Sequence, residues 1–216
     1  MSIEAIIFDL DGVIVSTDEF HYQAWKRLAD EEGIYFDKDI NQRLRGVSRM
    51  QSLEILLEKS VRRYEEPEKL QMATRKNYYY QELICSLTPE HILPGVRQFL
   101  AEAKNHKLKI AIGSSSKNSP LILKQIGLDQ YFDVTVDGND ISRSKPDPEV
   151  FLRAAQRLGI LPENCLVVED AKAGVEAAIS GGMRVLGVGE AAKGQQADWN
   201  AGDLAHITVA ELLACP

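Results

Sequence analysis

The sequence predicts an α/β protein: a Rossmann-like, doubly wound parallel sheet core with an inserted all-helical cap domain. Three observations carry this. The apolar run Ala5-Ile6-Ile7-Phe8 ends on the polar turn Asp9-Leu10-Asp11-Gly12, the pattern of a strand buried on both faces. From Pro94-Gly95 onward, short apolar runs alternate with segments of helical spacing, which implies a parallel sheet with crossover helices. Between these two regions, from Thr17 to Leu87, no run reads as a strand. The core is therefore expected at residues 1–16 and 88–216, and the cap at 17–87.

Taken in order, the opening strand is followed by a helix over Asp18 to Glu32, where Trp25, Leu28 and Ala29 recur at helical spacing and Gly33 is placed to end it. Residues 34–87 keep helical character, with one stripe at Leu53, Leu56 and Leu57 and another segment from Leu70 to Leu83, divided by the polar loop at 45–49. Beyond Pro94, helices are expected at Gly95–Asn105, Lys117–Ile126, Pro148–Leu158 and Ala171–Ile179. Strands are expected at Lys109–Gly113, Phe132–Val136, Cys165–Val168 and Arg184–Val188, and an exposed loop at Gly194–Asp203.

Composition sets outer bounds. A chain of 216 residues, 44% hydrophobic and 26% charged, is that of an ordinary globular protein. A net charge of -7 argues against a general nucleic-acid binder. Cys85, Cys165 and Cys215 fit neither a zinc pattern nor a disulfide framework, so a reducing, cytoplasmic setting is expected. No basic-then-apolar leader and no membrane-length apolar stretch is visible.

The chemistry collects where ligands of such sheets bind, beyond the carboxyl ends of the strands. Asp9 and Asp11 follow the first strand, Ser114-Ser115-Ser116-Lys117-Asn118 the second, and Glu169-Asp170 a later one; Lys145 precedes a helix. Each alone has a plain reading: a polar turn, an N-cap, a solvated loop lysine. Together they suit phosphoryl transfer, which depends on positioning and charge stabilisation. Asp9 would attack phosphorus, Asp11 would act as general acid and base, Ser114 would donate to phosphoryl oxygens and Lys145 would neutralise them. Asp9, Asp11, Glu169 and Asp170 would hold Mg²⁺, with Asp11 contributing through its backbone. A carboxyl working as an acid calls for a raised pKa.

Asp9-Leu10-Asp11-Gly12, Ser114, Lys145 and Glu169-Asp170, in that order with a helical insertion after the first, resemble the haloacid dehalogenase superfamily over essentially the whole chain. The segment 44–53, His21 with Ala24-Trp25, Arg75-Lys76-Asn77 and Ser114–Asn118 are similar to the β-phosphoglucomutase family within it. That resemblance implies a sugar phosphate substrate gripped by His21, Arg45, Gly46, Val47, Ser48, Arg49, Ser52, Lys76, Ser115, Ser116, Lys117 and Asn118. Arg49 with Ser116, Lys117 and Asn118 would hold the phosphate that is not being transferred. Two positions depart from the family pattern: Arg45 stands where Lys is usual, and Ser16 where Asp is usual, at the hinge into the cap.

The expected activity is interconversion of β-D-glucose 1-phosphate and D-glucose 6-phosphate by a monomer with no nucleic-acid or membrane partner. The rivals are a phosphatase of small sugar phosphates with the same fold and, from another class, a non-catalytic binder of phosphorylated metabolites. Thr17 and Leu87–Glu90 would be the hinges through which the cap opens and closes.

Overall fold

The computed structural model describes residues 2–44, 47–194 and 196–214. Among them runs a six-stranded, all-parallel sheet in the order β3-β2-β1-β4-β5-β6, with β1 at Ala5–Phe8, β2 at Lys109–Gly113, β3 at Val134–Val136, β4 at Cys165–Glu169, β5 at Arg184–Val188 and β6 at Trp199–Ala201. β1 lies between β2 and β4, so Phe8 pairs with Ile112 on one side and Val168 on the other. Asp9, Ser114 and Asp170 therefore leave the sheet side by side at one edge.

Alternation along each strand divides the core into two layers. Ile6, Phe8, Ile110, Ile112, Leu166 and Val168 pack beneath α5 (Val96–Asn105), α6 (Ser119–Gln125) and α9 (Val209–Ala214). Ala5, Ile7, Ala111, Cys165 and Val167 pack beneath α7 (Glu149–Leu158) and α8 (Lys172–Ser180). Both faces are covered, which is why the strands read as apolar runs rather than alternating ones. The expected 194–203 loop is corrected at one point: Trp199–Ala201 forms the edge strand β6, pairing with β5 from Leu186 to Val188.

The cap consists of α1 (Asp18–Glu32), α2 (Lys38–Gln42), α3 (Arg49–Leu57) and α4 (Glu66–Ile84), with no strand among the described residues of this stretch. Gly33 ends α1 in the left-handed conformation, returning its N–H to the carbonyls of Ala29 and Asp30. Asp37 caps α2 by accepting from Ile40 N. Ser48 and Gln51 form a reciprocal capping box at the start of α3. Trp25, Leu28, Ile34, Phe36, Leu53, Leu56 and Met72 close a separate core within these helices. The two crossings between cap and sheet are tied together, with Val15 bridging Ile92 and Leu93 N donating to Ile14 O at 2.9 Å. No described helix is long and apolar enough to cross a membrane.

Candidate active site

At the carboxyl ends of β1, β2 and β4, cap and sheet enclose a cavity of about 450 Å³, within the size range of small-molecule sites. Asp9, Asp11, His21, Val47, Ser48, Arg49, Ser52, Lys76, Lys145, Glu169, Asp170 and every residue from Ser114 to Asn118 line it. Arg45 and Gly46 lie outside the described residues, as does Cys215.

The floor is a buried charge cluster. Lys145 donates to Asp9 Oδ1 at 2.5 Å and to Glu169 Oε1 at 2.6 Å, and all three side chains are buried. Glu169 Oε2 also accepts from Ala171 N at 2.8 Å. Asp9, Glu169 and Asp170 each offer a carboxylate oxygen within 4.8 Å of the others. Three buried carboxylates with one ammonium leave negative charge that a hard, oxygen-loving divalent cation would offset. The donor set therefore fits such an ion. The carboxylate of Asp11 stands outside this trio, its Oδ1 accepting from the Thr17 hydroxyl.

Backbone shape makes the cluster possible. Gly12 sits at φ +84°, and a Cβ there would fall 2.2 Å from Asp170 Oδ2. The turn thus needs glycine both for its left-handed angle and for the approach of the carboxylate. Gly174 in α8 faces Glu169 in the same way, since a Cβ would meet Oε1 at 1.8 Å.

Burial sets the electrostatics. It raises Asp9 to about 7 against the pull of Lys145, with Glu169 and Asp11 adding to the rise. It raises Asp11 to about 6, moderated by the Thr17 hydrogen bond. Burial alone would lower the Lys145 amine, but the Asp9 and Glu169 carboxylates outweigh it and hold the amine above its usual range. Asp11 is thus a carboxyl able to give and take a proton near neutrality. Ser114 Oγ accepts from Ser116 N at 3.1 Å, leaving its hydroxyl hydrogen to donate elsewhere. Ser115 Oγ is buried with no partner among the described residues.

The roof belongs to the cap. Lys76 is 2% exposed; its ammonium lies 4.8 Å from the Trp25 ring centre and 4.7 Å from that of Tyr80. Nζ meets His21 Nδ1 at 2.8 Å, and His21 stacks on Tyr80. Burial first, then Arg49, pushes the Lys76 amine well below its ordinary value; burial and Lys76 do the same to His21. Arg49 donates to Asn77 Oδ1 at 2.7 Å, and Asn118 donates to the same oxygen at 2.9 Å. The segment Arg75-Lys76-Asn77 divides by helical phase: Lys76 and Asn77 line the cavity, whereas Arg75 pairs with Glu32 on α1. Residue-by-residue reading missed Tyr80, whose only sequence signal is its position four beyond Lys76 on one helix face.

A family profile described as haloacid dehalogenase-like hydrolase matches residues 3–182. The chain belongs to that family. Within it, the chain is 45% identical over 189 residues to a β-phosphoglucomutase of Bacillus subtilis, covering 87% of this chain and 84% of that protein. It is 34% identical over 214 residues to a phosphorylated carbohydrates phosphatase of Thermotoga maritima, covering 97% and 96%. The crystal structure of a β-phosphoglucomutase from Clostridium difficile superposes with a TM-score of 0.90 at 40% identity, over 97% of this chain and 95% of that one. Membership accounts for both the helical cap and the acidic cluster, since enzymes of this family typically use a divalent metal.

Proposed function

We propose that this protein is a β-phosphoglucomutase, interconverting β-D-glucose 1-phosphate and D-glucose 6-phosphate through an aspartyl-phosphate enzyme and a β-glucose 1,6-bisphosphate intermediate. The observation that carries the reading is the pairing, in one cavity, of a reacting end at Asp9, Ser114 and Lys145 with a second cationic end at Arg49, Ser116, Lys117 and Asn118. Hydrolysis of a monophosphate has no use for the second end; a bisphosphate has. The 45% identity to the Bacillus enzyme supports the same choice.

In this reading the phosphoryl group rides on an Asp9 carboxylate oxygen. A sugar hydroxyl attacks the phosphorus, its proton passes to Asp11, and the Asp9 O–P bond breaks to leave the bisphosphate and a free Asp9 carboxylate. The bisphosphate turns round while Arg49 releases one phosphate and receives the other. Asp9 then attacks the second phosphorus, and Asp11 returns the proton to the departing sugar oxygen. Lys145 and Ser114 hold the phosphoryl oxygens throughout, and His21 and Lys76 meet the sugar hydroxyls or Asp11. Mg²⁺, held by Asp9, Glu169, Asp170 and the Asp11 backbone, would supply charge neutralisation at the transferring group. Val47, Ser48 and Ser52, with Arg45 and Gly46, would shape the sugar end. The cap spans 17–87 and turns on Thr17 and Leu87–Glu90, excluding water when closed. The protein acts as a monomer in the cytoplasm.

³¹P NMR of the protein with Mg²⁺, β-glucose 1-phosphate and a trace of β-glucose 1,6-bisphosphate tests this. Glucose 6-phosphate should accumulate with little inorganic phosphate, with no turnover in Asp9→Asn and slower turnover in Arg49→Ala. Stoichiometric inorganic phosphate without glucose 6-phosphate would instead assign a sugar phosphatase, the activity named for the Thermotoga relative.

A further inference from the structure

We infer that Gln81, a residue outside the cavity, secures the Asn118 amide in the orientation that Arg49 and Asn77 impose, with its NH₂ end toward the distal phosphate site. This rests on the mutase reading for what occupies that site. The structural observation is a chain of side-chain hydrogen bonds crossing from cap to core. Arg49 Nη2 donates to Asn77 Oδ1 at 2.7 Å, Asn118 Nδ2 donates to the same oxygen at 2.9 Å, and Gln81 Nε2 donates to Asn118 Oδ1 at 2.9 Å. Arg49, Asn77 and Asn118 line the cavity, and Gln81 does not.

The order of donors is forced. Arginine has donors only, so Asn77 must turn its oxygen toward Arg49. Asn118 shares that oxygen and must offer its NH₂ group, which sends its own oxygen to the far side. Gln81 meets that oxygen with a donor. With both ends defined, Asn118 keeps its remaining N–H for an anion and its acceptor away from it. Asn77 and Gln81 are four apart on α4, so one cap helix grips both ends of a single core amide. Gln81 is thus a positioning residue, and the bond also ties cap to core where closure brings them together.

The test compares Gln81→Met, which deletes the donor, with Gln81→Glu, which puts an acceptor against the Asn118 oxygen. KM for β-glucose 1-phosphate should rise about five-fold in Gln81→Met and well over ten-fold in Gln81→Glu, with kcat within about two-fold. Hydrolysis of acetyl phosphate, which carries a single phosphate and does not span to the distal end, should stay unchanged. Glucose 6-phosphate binding, followed by calorimetry, should weaken in the same order. Unchanged KM in both variants would overturn the inference. So would a fall in kcat and acetyl phosphate hydrolysis in proportion to the loss in kcat/KM, the mark of general disruption. If the wild type leaves glucose 1-phosphate unconverted, the mutase reading falls separately, and the calorimetric ranking still judges Gln81; absence of glucose 6-phosphate binding to the wild type sinks both.

Discussion

Replacing Gly174 with alanine should damage this protein although the change adds only one methyl group, in the first turn of a helix. In an unconstrained helix interior the substitution would stabilise by about 1 kcal/mol. Here the new Cβ would lie 1.8 Å from Glu169 Oε1 and 2.0 Å from its Cδ. A flexible surface glutamate would swing aside. Glu169 is 1% exposed and pinned by Lys145 at 2.6 Å and by Ala171 N at 2.8 Å, so moving it breaks a buried, hydrogen-bonded ion pair, which costs about 3–5 kcal/mol. The net loss is about 2–4 kcal/mol, or a fall in Tm of about 4–16 °C for a chain of this length. Thermal unfolding followed by circular dichroism measures it, and a Mg²⁺ titration should show weakened binding as the cluster is displaced. In a Glu169→Ala background the three atoms nearest the new methyl are gone, so Gly174→Ala should there raise Tm, a coupling that a double-mutant cycle reads directly. A Tm that rises in the wild-type background, or an identical change in both, would refute the idea that Gly174 exists to admit Glu169.

Three further outcomes follow from the electrostatics. Divalent ions bind ionised carboxylates, and burial holds Asp9 at about 7, so Mg²⁺ affinity should fall about ten-fold from pH 8 to pH 6; a flat profile in calorimetry would contradict this. The Thr17 hydroxyl stabilises ionised Asp11, so Thr17→Val should raise the Asp11 pKa above about 6 and move the acid limb of kcat/KM upward by about one pH unit. Steady-state rates between pH 5 and 8 would reveal an unmoved limb if the bond is idle. Arg49→Lys keeps the charge but loses the planar fork that reaches Asn77 and that the proposed function also assigns to phosphate. KM for β-glucose 1-phosphate should rise about ten-fold with kcat little changed.

Which residues were legible in the sequence follows from where each feature draws its stability. Asp9, Ser114 and Glu169 follow runs buried on both faces, and such runs are continuous in sequence, so the sheet, its strand ends and the polar residues gathered there could be read together. β6 could not: Trp199-Asn200-Ala201 has no apolar run, and its strand character comes from pairing with β5. The cap residues divide likewise. Lys76 looks like any lysine in a charged helix, and only the family resemblance singled it out; its burial depends on Trp25 from another helix. Gln81 gave no signal because its role requires an amide 37 positions away.

The central position of β1 has a consequence for how the protein comes into being. Asp9 and Lys145, its direct partner, lie 136 positions apart, and β4, the second neighbour of β1, ends only at Glu169. A growing chain therefore carries Asp9 through 136 further residues before the lysine that it pairs with has been made. The charge cluster is complete only once the sheet has closed around β1 and brought Asp9 to Lys145 and Glu169. The same separation makes the contacts of the site among the most distant in sequence, which slows their formation.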